Sequence, residues 1–281
     1  MNPLGALSGL AAAGCWGVSA FASGLASRRT SLLATLIVAD VTGSVLALAV
    51  AVASAEEVPD LAGWAWATAA GLCNLIGVFA FLRAILMNPF GLITPIATIV
   101  SAGVPILFGI VTGDRPSTSQ WIGMLAALAA AVLVSLPAGG RALDRGALAL
   151  ALAAGLWWGA FYICMSEAAA SGAYTWWPIV ASRSAAGAAA MAVALVGVGR
   201  THTALRASPL MVGAGATDVA GTSLFLLSSS QSSLGIAAVT SSLYPAVTVL
   251  LSRAVLGEHL ARVHVAGILL ALVGIALMAL Q

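Results

Sequence analysis

Residues 210–226 read LMVGAGATDVAGTSLFL, and residues 66–82 read WATAAGLCNLIGVFAFL. Laid over one another at a shift of 144, the two stretches pair Gly71 with Gly215, Gly77 with Gly221 and Phe81 with Phe225. Carried toward the C-terminus, the same shift puts Gly91 on Gly235, Gly113 on Gly257, Asp114 on Glu258 and Gly123 on Gly267. A shift of 141 covers the start of each copy, GALSGLAAAGCWG (5–17) over GALALALAAGLWWG (146–159), and places Trp16 on Trp157. One glycine match means little in a chain with 30 glycines, but an ordered series of them is the mark of an internal repeat. The chain divides into two copies, 1–140 and 141–281.

The composition says what solvent those copies face. The 281 residues are 61% hydrophobic and 7% charged, against about 25% charged in an ordinary soluble domain. So few charges do not cover a water-facing surface. Cutting the chain at turn and charge signals leaves ten apolar runs: 4–26, 31–53, 64–86, 91–112, 119–138, 146–168, 175–199, 209–230, 235–256 and 263–280. Each is close to the roughly 20 residues that a spanning helix needs. The breaks, such as SRRT (27–30), AEEVPD (55–60) and GEHLAR (257–262), are too short for a soluble domain. The N-terminus has no basic region and reads as the start of the first helix rather than a cleaved signal. Five helices per copy is an odd number, so consecutive copies insert in opposite senses. The expectation is an all-α integral membrane fold of ten transmembrane helices in two inverted five-helix repeats.

Within that frame Asp218 stands out, because it lies near the centre of an apolar run. A charge at the bilayer centre costs about 2.5–3.5 kcal/mol on the insertion scale, so intramembrane ionisable groups mark pathways or find partners. Its repeat partner is Asn74. One helical stripe in each copy carries a small residue, a polar centre and an aromatic: Gly71, Asn74, Phe81 and Gly215, Asp218, Phe225. Trp16, Trp157, Tyr244 and Pro245 are also central in their runs. Two inverted copies bring their centres together, which predicts a midplane cavity lined by Trp16, Asn74, Trp157, Asp218 and Tyr244, with Phe81 and Phe225 on the same stripes. There Asp218 binds a proton or a substrate ammonium. The alternative is a carboxylate that only hydrogen-bonds neighbouring Ser or Thr, or caps a helix break. Asp40 and Arg183 form a second candidate, 143 residues apart, either as a static ion pair or as a seat for an anionic group such as a substrate carboxylate, since guanidinium is a planar fork of donors.

Other features have plainer readings. Arg83, Glu167 and Arg253 lie near run ends and snorkel. Trp64, Trp66, Trp121, Trp176 and Trp177 sit at run starts, where an interfacial belt belongs. Pro95, Pro105 and Pro245 kink their helices, with Pro95 and Pro245 as candidate hinges. Cys15, Cys73 and Cys164 lie singly in different runs as small hydrophobes, and no metal-ligand spacing, cofactor motif, HExxH or GxSxG is present. His202, His259 and His264 receive no ligand role. A net charge of +2 gives no reason to invoke nucleic acid.

The stretch LYPAVTVLLSRAVLGEHLARVHVAGILLALVGIAL (243–277) resembles the signature of the EamA family in the drug/metabolite transporter superfamily. Pro245 stands mid-run, Gly257-Glu258 ends that run, and a glycine-rich last run follows. The first copy is similar but degraded, with Ser101 in the place of Pro245 and Gly113-Asp114 for Gly-Glu, and Trp16-Gly17 looks like the family's tryptophan-glycine motif. The resemblance implies a secondary transporter, an exporter of amino acids or other small metabolites driven by an ion gradient, in a multi-pass inner or plasma membrane location. A cationic multidrug exporter is the near variant, since Trp faces attract cations. A channel or lipid scramblase is the competing class, and an enzyme is not expected. The partners implied are the lipid bilayer, a small-molecule substrate and protons, with the chain a monomer or weak homo-oligomer. Arg28, Arg29, Arg141, Arg145, Arg200, Arg206 and Arg262 fall on the side opposite the termini, against Arg115 alone on the termini's side. Positive-inside bias thus places both termini outside the cytoplasm; the family resemblance implies both inside.

Overall fold

The structure is a computed structural model that describes residues 3–87, 90–135, 144–170, 175–196, 207–256 and 262–279. These form helices α1 (Pro3–Ser27), α2 (Leu32–Ala53), α3 (Leu61–Met87), α4 (Phe90–Thr112), α5 (Thr118–Ser135), α6 (Arg145–Ala170), α7 (Trp176–Val196), α8 (Pro209–Gln231), α9 (Leu234–Ser241), α10 (Tyr244–Leu256) and α11 (Arg262–Ala279). Eight stretches are long and apolar enough to cross a membrane, one of them running through α9 into α10, and α5 and α11 supply two shorter apolar helices. Local chemistry sets the starts. Ser31, Ser208 and Ser233 accept the N–H of the residue three ahead, the N-cap arrangement, and Pro209 takes the first turn of α8, where no N–H is needed. Asp60 and Asp144 do the same at α3 and α6.

One element differs from the expectation. The ninth run is not a single helix kinked at Pro245 but two helices separated at Ser242–Leu243. Pro245 has no N–H to offer the Ser241 carbonyl, so the ladder stops there. Ser242 N–H closes α9 on Ala238 O (2.9 Å), and Ala246 N–H restarts on Leu243 O (3.0 Å). Pro95 and Pro105, by contrast, lie inside α4, which is continuous.

The halves interlock by equivalent contacts. Gly71 of α3 lies against the backbone of Ser182 in α7, and its repeat partner Gly215 of α8 lies against the backbone of Ala39 in α2. Gly77 faces Trp158, and Gly221 faces Trp16. Gly17 sits on Val247 and Gly159 on Val104; Gly123 sits on Met278 and Gly267 on Val134. In each pair a helix of one half meets a helix of the other. The equivalent helices run antiparallel: Ser44 of α2 bonds Ser184 of α7 (3.1 Å), while Ile37 near the start of α2 clusters with Ala190 toward the end of α7. An antiparallel pairing of equivalent helices is what inversion of one half relative to the other produces. Lipid supplies no hydrophobic drive between helices, so close approach at small residues is what makes these contacts favourable.

At the end of the bundle holding both termini, Glu56 ties the halves together. Ala55 closes α2 with φ of 51°, and Glu56 N–H bonds back to Ala51 O (3.1 Å). That turn aims the Glu56 carboxylate at the start of α7, where it accepts the N–H groups of Thr175 (2.6 Å), Trp176 (2.9 Å) and Trp177 (3.0 Å). Trp177 Nε1 donates to the Glu56 carbonyl, and its ring lies 5.9 Å from Trp64. A carboxylate over a helix N-terminus gains from both the free N–H groups and the dipole.

Two stability outcomes follow. Gly215→Ala and Gly71→Ala drive a methyl into a backbone carbonyl that no side-chain rotation relieves. Each should destabilise the protein in detergent by about 1–3 kcal/mol, the usual cost of overpacking. Gly14→Ala, where nothing lies within 4 Å, should change stability by no more than about 0.5 kcal/mol. Glu56→Ala should cost about 0.5–2 kcal/mol for the lost cap. Thermal unfolding of the purified variants checks all four.

Candidate functional site

Helices α2, α7 and α8 each carry one ionisable group to the same point. Arg183 Nη1 lies 2.7 Å from Asp218 Oδ2 and 3.4 Å from Asp40 Oδ1. The Asp40 and Asp218 readings of the sequence are therefore one constellation and not two. Glycines make the room. The Arg183 stem lies over Gly43 and Asp40 lies over Gly187, and Gly43 and Gly187 are themselves 144 apart. The side chains of Arg183 and Asp40 are 5% and 10% exposed, whereas that of Asp218 is 26% exposed and faces open space. The 2.7 Å contact lacks hydrogen-bond alignment, and Arg183 Nε has no protein partner. The guanidinium also lies 5.8 Å from the centre of the Phe161 ring, within cation–π range.

The open space is a cavity of about 850 Å³, lined at its inner end by Asp40, Asn74, Arg183 and Asp218. Its size falls in the range of small-molecule sites, roughly 300–1,000 Å³. It extends toward the end of the bundle opposite the termini, where Arg28, Ser252 and His264 line it. At the other end α9 is wedged among α1, α4 and α8, with Ile236 through Ser242 all buried. There Ser228 Oγ donates to Gly5 O (2.6 Å), and Gly235 packs on Ile106. The cavity is thus a one-ended funnel, blind at the charge cluster.

Its walls are aromatic. Phe81 and Trp158 lie 5.2 Å apart, and their repeat equivalents Phe225 and Trp16 lie 5.8 Å apart. Tyr162 packs 4.9 Å from Phe225 and 5.8 Å from Trp16, and Phe161 completes the group. Of the residues that the sequence assigned to this region, Asp218, Asn74, Trp16, Tyr244, Phe81, Asp40, Arg183 and Pro245 line the cavity. Trp157 does not. It is 39% exposed on the outer surface of the bundle, and Trp158 takes the inward place. The repeat registers by 142 at this point, so Trp16 matches Trp158 and Gly17 matches Gly159. Phe225 is fully buried behind Trp16 and Tyr162, and Pro95 is buried in α4 outside the lining. Trp158, Phe161 and Tyr162 were missed as wall residues. The Gly17–Gly159 match was the signal for the first of them. Arg141, Arg200, Arg206, His202, His259, Gly257 and Glu258 lie outside the described residues, as does the side chain of Arg253. Among the described residues no group of three His, Cys, Asp or Glu side chains is placed to hold a metal.

A blind, largely apolar cavity with an ionisable floor, set in a bundle of two interlocked halves, defines a membrane solute-handling protein. The model of the EamA-like transporter family matches the chain twice, over residues 3–136 and 145–280. The chain belongs to the EamA-like transporter family and is a multi-pass membrane protein. A search of the curated proteins found no match. Among the solved structures 28 chains match; one crystal structure is similar over 98% of both chains, with a TM-score of 0.78 at 16% identity, a likeness of fold.

Replacing the half-buried Trp158 with Ala removes its packing against Gly77 and Phe81 and should cost about 1–3 kcal/mol. Trp157→Ala, on the outer face, should cost less than about 1 kcal/mol, since substitutions away from packed features are mild. Melting curves of the two variants in one detergent decide between the two tryptophans.

Proposed function

We propose that this transporter is a secondary active exporter with ten membrane crossings, working by alternating access, and that its cargo is a small amine-bearing metabolite. An amino acid with an apolar or aromatic side chain fits best. The observation that carries this reading is the partly exposed Asp218 carboxylate at the blind end of an aromatic-walled cavity. A cargo ammonium meets Asp218, its carboxylate meets the guanidinium of Arg183, and its side chain lies among Trp16, Phe81 and Trp158. Inversion of the halves supports alternating access, because exchanging the conformations of two inverted repeats turns a funnel open at one end into a funnel open at the other. The end now closed by α9 is the one that must open.

The funnel opens toward the arginine-rich loops. With those loops in the cytoplasm, by the positive-inside rule, the cavity loads from the cytoplasm and both termini lie outside. That orientation supports export. An ammonium and a proton compete for the same carboxylate, which couples cargo movement to a proton gradient. A permanently cationic aromatic compound is the second reading, favoured by the aromatic walls around one acidic side chain.

Thermal stability against amino acids, polyamines, sugars and quaternary amines tests the cargo. A compound at a hundredfold excess over its Kd stabilises the folded state by about 2.7 kcal/mol. Zwitterionic amino acids with large apolar side chains should raise the melting temperature, and Asp218→Asn should abolish the response. Stabilisation that survives Asp218→Asn would remove the site from this role. For orientation, Ser23→Cys in a background with Cys15, Cys73 and Cys164 replaced by Ala should be labelled by an impermeant maleimide from the cytoplasmic face of vesicles; labelling from the outer face would reverse the topology.

A further inference from the structure

The cavity has one polar flank. Ser19, Ser23 and Ser27 of α1 line it at intervals of four residues, so they form one stripe along the helix. Thr248 and Ser252 of α10 line it as well, also four apart. The two helices pack together there, since Thr248 Oγ1 shares its proton between Tyr244 O (3.1 Å) and Gly17 O (3.3 Å). The stripe starts near the floor. Ser19 Oγ donates to Ala214 O (2.9 Å), and Ala214 lies one turn before Asp218 in α8. Ser19 thus stands about 6 Å from the level of Asp218 toward the mouth, and Ser23 and Ser27 follow at steps of about 6 Å. The α3 wall carries Val78, Phe81, Leu82 and Ile85 instead.

Most of these hydroxyls are set in one sense. A carbonyl oxygen cannot donate, so a hydroxyl bonded to one has given up its only proton. Ser19 gives its proton to Ala214, Thr248 to Tyr244 and Gly17, and Ser27 to Gly24 O (3.1 Å). What each can offer a solute is lone pairs. Ser23 and Ser252 make no bond to the described residues and turn either way. The stripe ends on Asp218, which accepts when ionised. The fold itself does not require these hydroxyls. At the shift of 142 that matches Trp16 with Trp158, the three serines fall on Phe161, Met165 and Ala169. The equivalent helix packs without a hydroxyl at any of the three.

We propose that this hydroxyl stripe determines specificity: it accepts cargo whose cationic head carries N–H groups and turns away quaternary ammonium heads. This rests on the cargo site proposed above and decides between its two cargo classes. A primary ammonium has three donors. It exchanges water for hydroxyl oxygens at each step from Ser27 to Ser19, and Ser19 and Thr248 still accept from it once it reaches Asp218. The cargo's apolar part meanwhile slides along the α3 wall. A trimethylammonium head strips water from the same oxygens and returns no hydrogen bond, so the acceptors it passes are left unpaired. Arg28 at the mouth is exposed, and water and salt screen its charge from the passing head.

Two probes of similar shape separate the classes: phenethylamine and its N-trimethyl analogue. Calorimetry on the full-length protein in detergent gives both Kd values. The wild type should bind phenethylamine about tenfold more tightly, or better, because a site built to hydrogen-bond N–H groups rejects an analogue without them. Ser19→Ala/Thr248→Val should bring the two Kd values within about threefold by weakening the amine alone. Thr248→Ser keeps its hydroxyl and should keep the preference. Ser23→Ala has no protein bond to lose, so it folds as the wild type does. It should slow phenethylamine association in stopped-flow fluorescence and leave the trimethyl analogue's rate unchanged. Equal binding of the two probes by the wild type, a preference that survives Ser19→Ala/Thr248→Val, or an unchanged amine rate in Ser23→Ala overturns the proposal. Asp218→Asn keeps the two readings apart. If it abolishes binding of both probes and the wild type shows no preference, the cargo site stands and the stripe has no part in selection. If the preference follows the hydroxyls while Asp218→Asn leaves affinity unchanged, the stripe stands and the carboxylate floor falls. A wild type that binds neither probe removes both.

Discussion

Everything at the centre of this bundle depends on two backbone crossings that only glycine permits. Gly215 brings α8 onto the backbone of α2 at Ala39, and Gly71 brings α3 onto the backbone of α7 at Ser182. Ala39 precedes Asp40, and Ser182 precedes Arg183. Asp218 and Asn74 follow their glycines by three residues, under one turn. The same close approach that makes helices associate in lipid therefore delivers four polar side chains to one place. A larger residue at either crossing separates the helices and with them the charges. Packing and site are one constraint here.

Much of this was legible in the sequence, and the reason is symmetry. The shift of 144 that aligned glycines also named the contacts, because inverted halves interlock through equivalent residues: Gly71 and Gly215, Gly77 and Gly221, Gly123 and Gly267 each meet equivalent partners. What escaped was rotation. Within a helix a one-residue error turns a side chain by about 100°, which follows from 3.6 residues per turn. Taking Trp157 for Trp158 thus exchanged an outward face for the cavity wall. Nor does spacing within one run tell how two runs are turned toward each other, which is why Asp218 and the Asp40–Arg183 pair read as separate. Symmetry held a hint even there. Asp40 with Arg183 and Asn74 with Asp218 are both repeat-related pairs near mid-run, and such pairs straddle the same axis. The break before Pro245 was readable as a proline effect, but whether the helix bends or restarts depends on neighbours: α4 carries two prolines and runs through both.

The division of labour between walls and floor is chemically sensible. Aromatic faces such as Trp16, Phe81 and Trp158 give a large contact area with few rotatable bonds, and they tolerate varied apolar shapes. They hold without much discrimination. The floor discriminates, since a buried ionisable group rejects any solute that leaves it unpaired. The cavity thus joins a charged floor to apolar walls.

Symmetry also explains why the functional chemistry lies where the two halves differ. Two identical inverted halves would place identical residues on both sides of the axis. A carboxylate at position 40 would face another at 183, and one at 218 would face another at 74. Four carboxylates at the centre of an apolar bundle would repel one another and demand several cations at once. Arg183 and Asn74 break that symmetry, one by reversing a charge and the other by removing it. The remainder is a single negative charge, with one internal cation beside it. The glycines that set the crossings are kept in both copies, so the helices meet alike in each half. The charged side chains at the axis are not, so the bundle holds one surplus charge there and not four.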